Sequence, residues 1–502
     1  MGLLQTTFLV AVSYVGWKTA GLPFVPFDLF DWAARVLPGS VVTVAIEWLI
    51  AIALALHAGN ISTAAKVAEQ LIAVTGQLAI GSVAASLLFA GLSYSDEPAV
   101  LPGGVLGAIL GLFAILVELQ VNKVSSQSMV NLAWVAGTFV TWGIALGWMS
   151  DRLNRVKSRQ TDGRRQFFKR LVLVTGLPSL LTALWGYALE GRRVSAPGAR
   201  WSDDHPLPND GARVTPLVGT RPELTRLENH YRIDIDTRAP VIDINQWHLT
   251  IGGLIERPTA MTLSELRREE PLHQFVTLSC ISNPVGGDLI GTTRWTGVSL
   301  RRLVRQWGVQ PRATHMRITS ADGFFETVAL DLIERDPRVM LTYAWDGLPL
   351  LAEHGFPLRI YIPDVYGMKQ PKWIVGIDFI DRWEPGYWVQ RGWDREGRML
   401  ATSAIDVVAI EPKPGAPDGR KEVVAGGIAH AGARGISKVE ARVDDGEWRE
   451  AQVRDPVSET TWIVWRADLA APDGDHTISV RCSEADGTPQ PGAFHNKRIK
   501  LS

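Results

Sequence analysis

Val276-Thr277-Leu278-Ser279-Cys280-Ile281-Ser282-Asn283-Pro284 is an apolar segment that ends at a cysteine, and Gly286-Gly287-Asp288 follows directly after Val285. Val276 and Leu278 are two residues apart, the period of a strand with one buried face. Asn283, Pro284 and the glycine pair break that period, so the strand opens into a loop. Cys280 therefore stands at the loop mouth, where a thiolate can meet a bound group. A lone cysteine is ordinarily a small core residue. Two other stretches weigh against that role here.

The first is His354-Gly355-Phe356-Pro357-Leu358-Arg359, and the second is Tyr366-Gly367-Met368-Lys369-Gln370-Pro371-Lys372-Trp373. They place His, Arg and two Lys around a short apolar strand from Ile360 to Pro363. Cations at the two ends of a strand can converge on an anion such as a phosphate. The only other cysteine is Cys482, which lies in an alternating strand-like run and reads as core. Two cysteines cannot make a disulfide framework, a four-cysteine zinc site or a cysteine-ligated iron–sulfur cluster. No Walker A loop, Gly-x-Ser-x-Gly elbow or His-Glu-x-x-His pair occurs.

Outward from this region the chain changes material. Its 51 basic and 52 acidic residues give a net charge of −1, without the basic excess of a nucleic-acid binder. Only 11 of the first 150 residues are charged, against 92 of the other 352. Apolar stretches at about 3–20, 40–57, 67–92, 103–119 and 129–149 approach or exceed the roughly 17–25 residues of a membrane helix. The loop at 151–170 carries eight Lys/Arg, which places it in the cytoplasm by the positive-inside rule. Within it, Gly163-Arg164-Arg165-Gln166-Phe167-Phe168-Lys169 resembles a twin-arginine export signal ahead of a weaker sixth apolar segment, 171–189. Only His57 among the ten histidines lies in or beside a span, so a bis-histidine haem is not expected inside the bundle. Glu47 falls within a span and reads as a packing residue more readily than a functional one.

The reading gives a multi-domain chain. Residues 1–150 form an α-helical transmembrane bundle of about five helices, and 151–195 a cytoplasmic basic loop with the sixth helix. Residues 196–225 are a linker arm rich in Pro, Gly, Asp and Arg, and 226–402 an α+β domain. In that domain Trp247–Ile251 reads as a strand, and Leu263–Arg268 as a helix opened by Thr262. Residues 403–502 read as an all-β, immunoglobulin-like sandwich, with Val439, Ala441 and Val443 alternating before an Asp445-Gly446 turn.

The Cys280 segment, the Trp295-Thr296-Gly297-Val298 turn, the His354–Arg359 run and the Tyr366–Trp373 run together resemble the sulfite oxidase family of molybdopterin enzymes, over roughly 225–502. The resemblance implies a sulfite-oxidase-type molybdopterin domain and a C-terminal dimerisation-type domain, hence a homodimer. It implies molybdenum with molybdopterin as cofactor and Cys280 as the metal's protein ligand, a soft sulfur donor. Tyr231, Arg232, Ser320, His354, Arg359, Gln370 and Lys372 would hold the pterin, with Arg359 and Lys372 on its phosphate. Tyr366 and Asn283 would lie near the open face of the metal.

The chain departs from the sulfite-oxidising members after the cysteine, where Asn283 is followed by Pro284-Val285. It departs again at Trp383–Trp388, where Pro385 stands near the place of the catalytic tyrosine. A sulfite-like or a sulfoxide-like substrate both remain open. The expected function is two-electron oxygen-atom transfer by an enzyme anchored in the bacterial inner membrane, its catalytic domain facing the periplasm. No haem or flavin is expected in this chain, so electrons pass to or from an external carrier, a cytochrome or a quinol-linked protein. The alternative is a non-enzymatic anchor with an immunoglobulin-like interaction module.

Overall fold

The computed structural model describes all residues except 56–60, 93–97, 122–128, 158–197, 412–420 and 502. The twin-arginine-like run, the sixth apolar segment and His57 lie outside the described residues. The described chain forms two compact units. One comprises Met1–Val42, Ala65–Ser195 and Asp234–Ala239; the other comprises Thr43–Ala64, Ala196–Ile233 and Pro240–Ser502.

The first unit is helical. Its helices are α1 (Gly2–Ala20), α2 (Val25–Val36), α4 (Ile61–Leu92, from Ala65 onward), α5 (Val100–Val121) and α6 (Met129–Lys157), with α3 (Gly39–Ala55) lying mostly in the other unit. Among the described residues three helices, Ile61–Leu92, Val100–Val121 and Met129–Arg152, are long and apolar enough to cross a membrane. A fourth span arises only if α1 and α2, bent by 94° at their junction, count as one. The first apolar stretch stops at Gly21, which adopts the left-handed conformation (φ 65°). Large apolar side chains such as Leu71, Leu87, Leu101, Ile109 and Met129 face outward, as hydrocarbon-facing helices require.

Helices α5 and α6 approach through glycines. A Cβ on Gly103 would lie 2.3 Å from the Gly143 carbonyl oxygen, and one on Gly143 2.2 Å from that of Gly103. Gly107 and Gly147 meet the backbone at Phe139 and Ala99 in the same way. This is small-residue packing, which gains contact where lipid offers no hydrophobic drive.

A short strap, residues 234–239, belongs to this helical unit. Lys66 donates to the backbone oxygens of Asp234 (3.1 Å) and Asp236 (2.9 Å) and pairs with the Asp234 carboxylate at 3.0 Å. Arg35 pairs with Asp236 at 2.5 Å, Arg238 with Asp28 at 2.6 Å, and Asp31 accepts from the Thr237 N–H at 2.9 Å. Buried charges persist only when matched in this way.

The second unit holds four sheets. The strands are β1 (Leu249–Gly253), β2 (Thr259–Met261), β3 (Leu272–Ser279), β4 (Ile290–Ser299), β5 (His315–Ser320), β6 (Phe325–Ala329), β7 (Met340–Trp345), β8 (Leu348–Pro349), β9 (Arg359–Tyr361) and β10 (Ile374–Ile380). One sheet runs β2-β1-β10-β5-β6, with β1 and β10 parallel; the other runs β3-β4-β7-β8, with β9 on β7. They share a core that includes Leu249, Ile318, Leu341, Ile360, Ile377 and Phe379. The expected helix after Thr262 is present as Leu263–Leu266, closed by a capping box between Thr262 and Glu265. The Trp295–Val298 run is not a turn but part of β4, where the register with β7 shifts between Thr296 and Gly297.

From Thr402 the described residues form β-strands and the loops that join them. Strands β11 (Thr402–Glu411), β12 (Lys421–His430), β13 (Ile436–Val443), β14 (Arg449–Glu450), β15 (Gln452–Val453), β16 (Ile463–Ala471), β17 (Gly474–Glu484) and β18 (His495–Leu501) make two four-stranded antiparallel sheets. Val439, Ala441, Trp465, Val480 and Cys482 meet in one core. Burial pushes the Cys482 thiol up to about 12, as befits a core residue.

Candidate active site

Strand β3 delivers Cys280. Its antiparallel pairing with β4 ends at Ser279 opposite Ile290, and the intervening loop closes on itself. Cys280 N–H donates to Leu289 O (2.9 Å), Asn283 N–H to Cys280 O (3.1 Å), and Leu289 N–H to Asn283 Oδ1 (2.9 Å). Asn283 thus braces the loop with its carboxamide oxygen. Burial pushes the Cys280 thiol up; the backbone N–H and hydroxyl of Ser282, the N–H of Ile281 and the charge of Lys372 pull the other way. Donors gathered round a buried sulfur suit a thiolate ligand.

The Asp288 carboxylate in the same loop accepts from the N–H of Ile61 at 2.9 Å, capping the first residue of α4. Ile61 packs in one cluster with Cys280, Tyr231, Trp295 and Trp345.

Tyr231 and Tyr366 both adjoin the cysteine. Burial raises each phenol, and the Cys280 charge raises both further. The Tyr366 hydroxyl accepts from Leu400 N–H at 3.1 Å. His230 stacks beside Tyr231 at 5.4 Å and lies 5.6 Å from His354 between ring centres. Trp345 touches both imidazoles, at 4.6 and 5.0 Å. Burial first, then the charge of Arg359, lowers His230 to about 3; His354 falls well below its ordinary range through burial and its cationic neighbours. Both rings are neutral at physiological pH and serve as hydrogen-bonding groups.

Arg359 lies against a pair of indoles, its guanidinium carbon 4.8 Å from the Trp295 ring and 4.9 Å from that of Trp345. It donates to His354 O at 3.0 Å, and burial lowers it to about 10, still cationic at neutral pH. Lys372 reaches the backbone oxygens of Ile233 (3.1 Å) and Glu353 (3.2 Å). The turn between them depends on Gly355, at φ 109°. A Cβ there would sit 3.1 Å from that of Lys372 and 3.3 Å from that of Arg359. Next to Lys372, Trp373 holds a left-handed φ of 51° while fully buried and donates to Ala352 O at 2.6 Å.

Ser320, at the end of β5, pairs with Ile374 two residues beyond Lys372. Gln370 donates to Ile362 O and Val365 O at 3.3 and 2.9 Å. Arg232 is half-buried beside Tyr231. Lys369 separates from the other cations: it forms a buried ion pair with Glu326 at 2.8 Å, so the grouping of both lysines on one anion is corrected.

Several buried polar atoms here lack a hydrogen-bond partner: Ser320 Oγ, His230 Nε2, Arg359 Nε, Gln370 Oε1 and the Trp295 and Trp345 indole nitrogens. Buried polar atoms are ordinarily satisfied. Such a set, with a buried guanidinium, fits an anionic, polar-edged cofactor. His230 escaped the sequence reading; the signal was its place directly before Tyr231.

A sequence profile for the oxidoreductase molybdopterin binding domain matches residues 236–388. The chain is 28% identical over 155 residues to the uncharacterized oxidoreductase YuiH of Bacillus subtilis (strain 168), covering 31% of this chain and 76% of that protein. It is 24% identical over 291 residues to the mitochondrial sulfite oxidase of Rattus norvegicus, covering 49% of this chain and 53% of that protein. It is 28% identical over 166 residues to a putative protein-methionine-sulfoxide reductase subunit, YedZ1, of Azospira oryzae, covering 33% of this chain and 60% of that protein. The chain thus spans between half and three quarters of the length of these relatives. The match makes residues 236–388 an oxidoreductase molybdopterin binding domain, and over about half its length the chain is similar to a sulfite oxidase.

Proposed function

We propose that this protein is a membrane-anchored oxidoreductase that transfers an oxygen atom to or from a small sulfite-like or sulfoxide-like substrate, exchanging two electrons with a separate carrier. The observation that carries this reading is the clustering of Cys280 with Tyr231, Tyr366 and Lys372 beside the unsatisfied atoms of Ser320, His230, Arg359 and Gln370. Cys280 is the protein ligand to molybdenum. Arg359 and Lys372 hold the cofactor's phosphate, and Tyr231, Arg232, Ser320, His354 and Gln370 hold its polar edges. When bound, the group supplies a centre that exchanges an oxygen atom and two electrons.

The chain's own residues prepare that centre. Ser282, Ile281 and Lys372 offset part of the burial that raises the Cys280 thiol, and a bound metal would hold its sulfur as the thiolate. Tyr366 keeps its proton, because burial and the neighbouring cysteine raise it, and so can donate a hydrogen bond to a substrate oxygen. Asn283 fixes the loop that carries the cysteine.

The membrane helices anchor the catalytic domain on the periplasmic side of a bacterial inner membrane, and the C-terminal sheets serve as the dimerisation-type, immunoglobulin-like module. Support comes from the apolar outward faces of α4, α5 and α6 and from the shared core of the two C-terminal sheets.

Metal analysis tests the reading. Protein from a cofactor-competent host is expected to carry about one molybdenum per chain, and Cys280→Ser less than a tenth of that while remaining folded. Metal-free, folded wild-type protein would overturn it. Parallel assays with sulfite and methionine sulfoxide separate the two directions of transfer.

A further inference from the structure

A cavity of about 380 Å³ lies between α1 and α6, its walls including Phe8, Val12, Trp134, Thr138 and Trp142. A second, of about 120 Å³, is bounded by Val25, Gln77, Leu110 and Phe139. The two share Leu9 and Trp142 as walls, so they adjoin. Their size together is that of a small-molecule site.

Most polar side chains in these walls are satisfied within the helices. Thr138 Oγ1 donates to Trp134 O at 2.9 Å, Thr6 Oγ1 to Gly2 O at 2.8 Å, and Gln5 Nε2 reaches Met149 Sδ at 2.9 Å. Three groups break that rule. Trp142 is 4% exposed and Gln77 5% exposed, yet the Trp142 indole N–H and the Gln77 Oε1 have no hydrogen-bond partner among the described residues. The Trp134 indole nitrogen, in the wall of the larger cavity, has none there either. Inside a bilayer no water is present to satisfy such groups. A buried donor and a buried acceptor in otherwise apolar walls therefore describe a ligand: a flat apolar body with an oxygen that accepts and an oxygen that donates.

We propose that these adjoining cavities bind the ring of a lipid-soluble quinone, with the Trp142 N–H donating to a ring oxygen and Gln77 Oε1 accepting from the hydroxyl of the reduced form. An acyl chain would fill the space but satisfy neither group. The oxidised quinone satisfies the indole and the reduced quinol satisfies both, and the pair carries two electrons, the number the enzyme exchanges; that part of the argument rests on the catalytic reading above.

Binding is measured on full-length protein without molybdenum cofactor, in phosphatidylcholine–phosphatidylglycerol nanodiscs prepared free of quinone, by equilibrium dialysis with decylubiquinone. Saturable binding of about one per chain is expected, with decylbenzene, which lacks the ring oxygens, at least about tenfold weaker. Trp142→Phe should weaken decylubiquinone, and Gln77→Leu its reduced form decylubiquinol, each about tenfold, the loss of one hydrogen bond. Equal affinity for decylbenzene, or no saturable quinone binding, would overturn the proposal, and this comparison needs no variant to fold. Absence of molybdenum from the holoenzyme would strike the catalytic reading and leave this measurement untouched.

Discussion

Arg359 is a cation placed where the protein alone gives it little. Its guanidinium is buried against two indoles, with one backbone oxygen at 3.0 Å and one nitrogen unsatisfied among the described residues. Burying such a charge is costly unless an anion joins it. Two opposite effects are therefore expected of Arg359→Met. In cofactor-free protein it should raise stability by about 1–4 kcal/mol, measured by thermal melting. In protein from a cofactor-competent host it should cut molybdenum content to below a tenth of wild type. A fall in both quantities would mean that the arginine is a packing residue. The roles proposed for Cys280, Arg359 and Lys372 rest on the resemblance of their motifs to the sulfite oxidase family; the local patterns, a thiol at a strand end and cations flanking a short strand, marked the positions without assigning them. The roles of Lys369 and His230 could not be read from the sequence: Glu326, the partner of Lys369, is 43 residues away, and His230 is explained only by Trp345 and His354 stacking around it.

Among the elements, the pairing of α5 with α6 admits no side chain at its crossing. Gly143→Leu would place a Cβ 2.2 Å from Gly103 O and force the helices apart, a loss of about 1–3 kcal/mol from overpacking. Thermal unfolding in detergent should register it, and Gly137→Leu, where nothing lies within 4 Å of the added Cβ, should leave the transition unmoved.

The strap at 234–239 supplies a pH dependence. Burial and the neighbouring Asp234 charge raise Asp236 from 3.8 to about 6, against the pull of Arg35 and Lys66. Asp31 on α2 faces the same segment through Thr237. The native carboxyl therefore keeps its proton where the unfolded one has lost it, and stability contributed at low pH is lost as pH rises from about 4 through about 6. Amide hydrogen exchange at 234–239 should accelerate between pH 5 and 7 beyond the intrinsic chemical increase, and Asp236→Asn should flatten that excess. Neither α2 nor the strap could be read from the sequence. Asp28, Asp31 and Arg35 look like loop residues until their partners arrive from 200 positions away.

At the scale of the molecule, the change in charge density near residue 150 correctly separated a helical region from a β-rich one, and the run of alternating strands after 402 was legible for the same reason: periodicity is local. The break between α1 and α2 was not, because a sequence window cannot see a 94° bend. Nor can it see that Thr43–Ala64 belongs with the β-rich unit and Asp234–Ala239 with the helical one. A fragment starting at residue 196 would keep Asp288 but lose the Ile61 N–H that it caps, and would remove Ile61 from the cluster around Cys280. Its melting temperature is expected to fall below that of the β-rich unit in the intact chain, as scanning calorimetry can check.

That exchange of segments has a further consequence. Since each unit contains a stretch of chain from the other side of the joint, no single scission frees either one whole, and the catalytic half cannot be moved onto a different anchor by splicing at one point. A transplant would have to carry 43–64 along and find a new seat for 234–239, so the two halves are inherited and engineered as one piece.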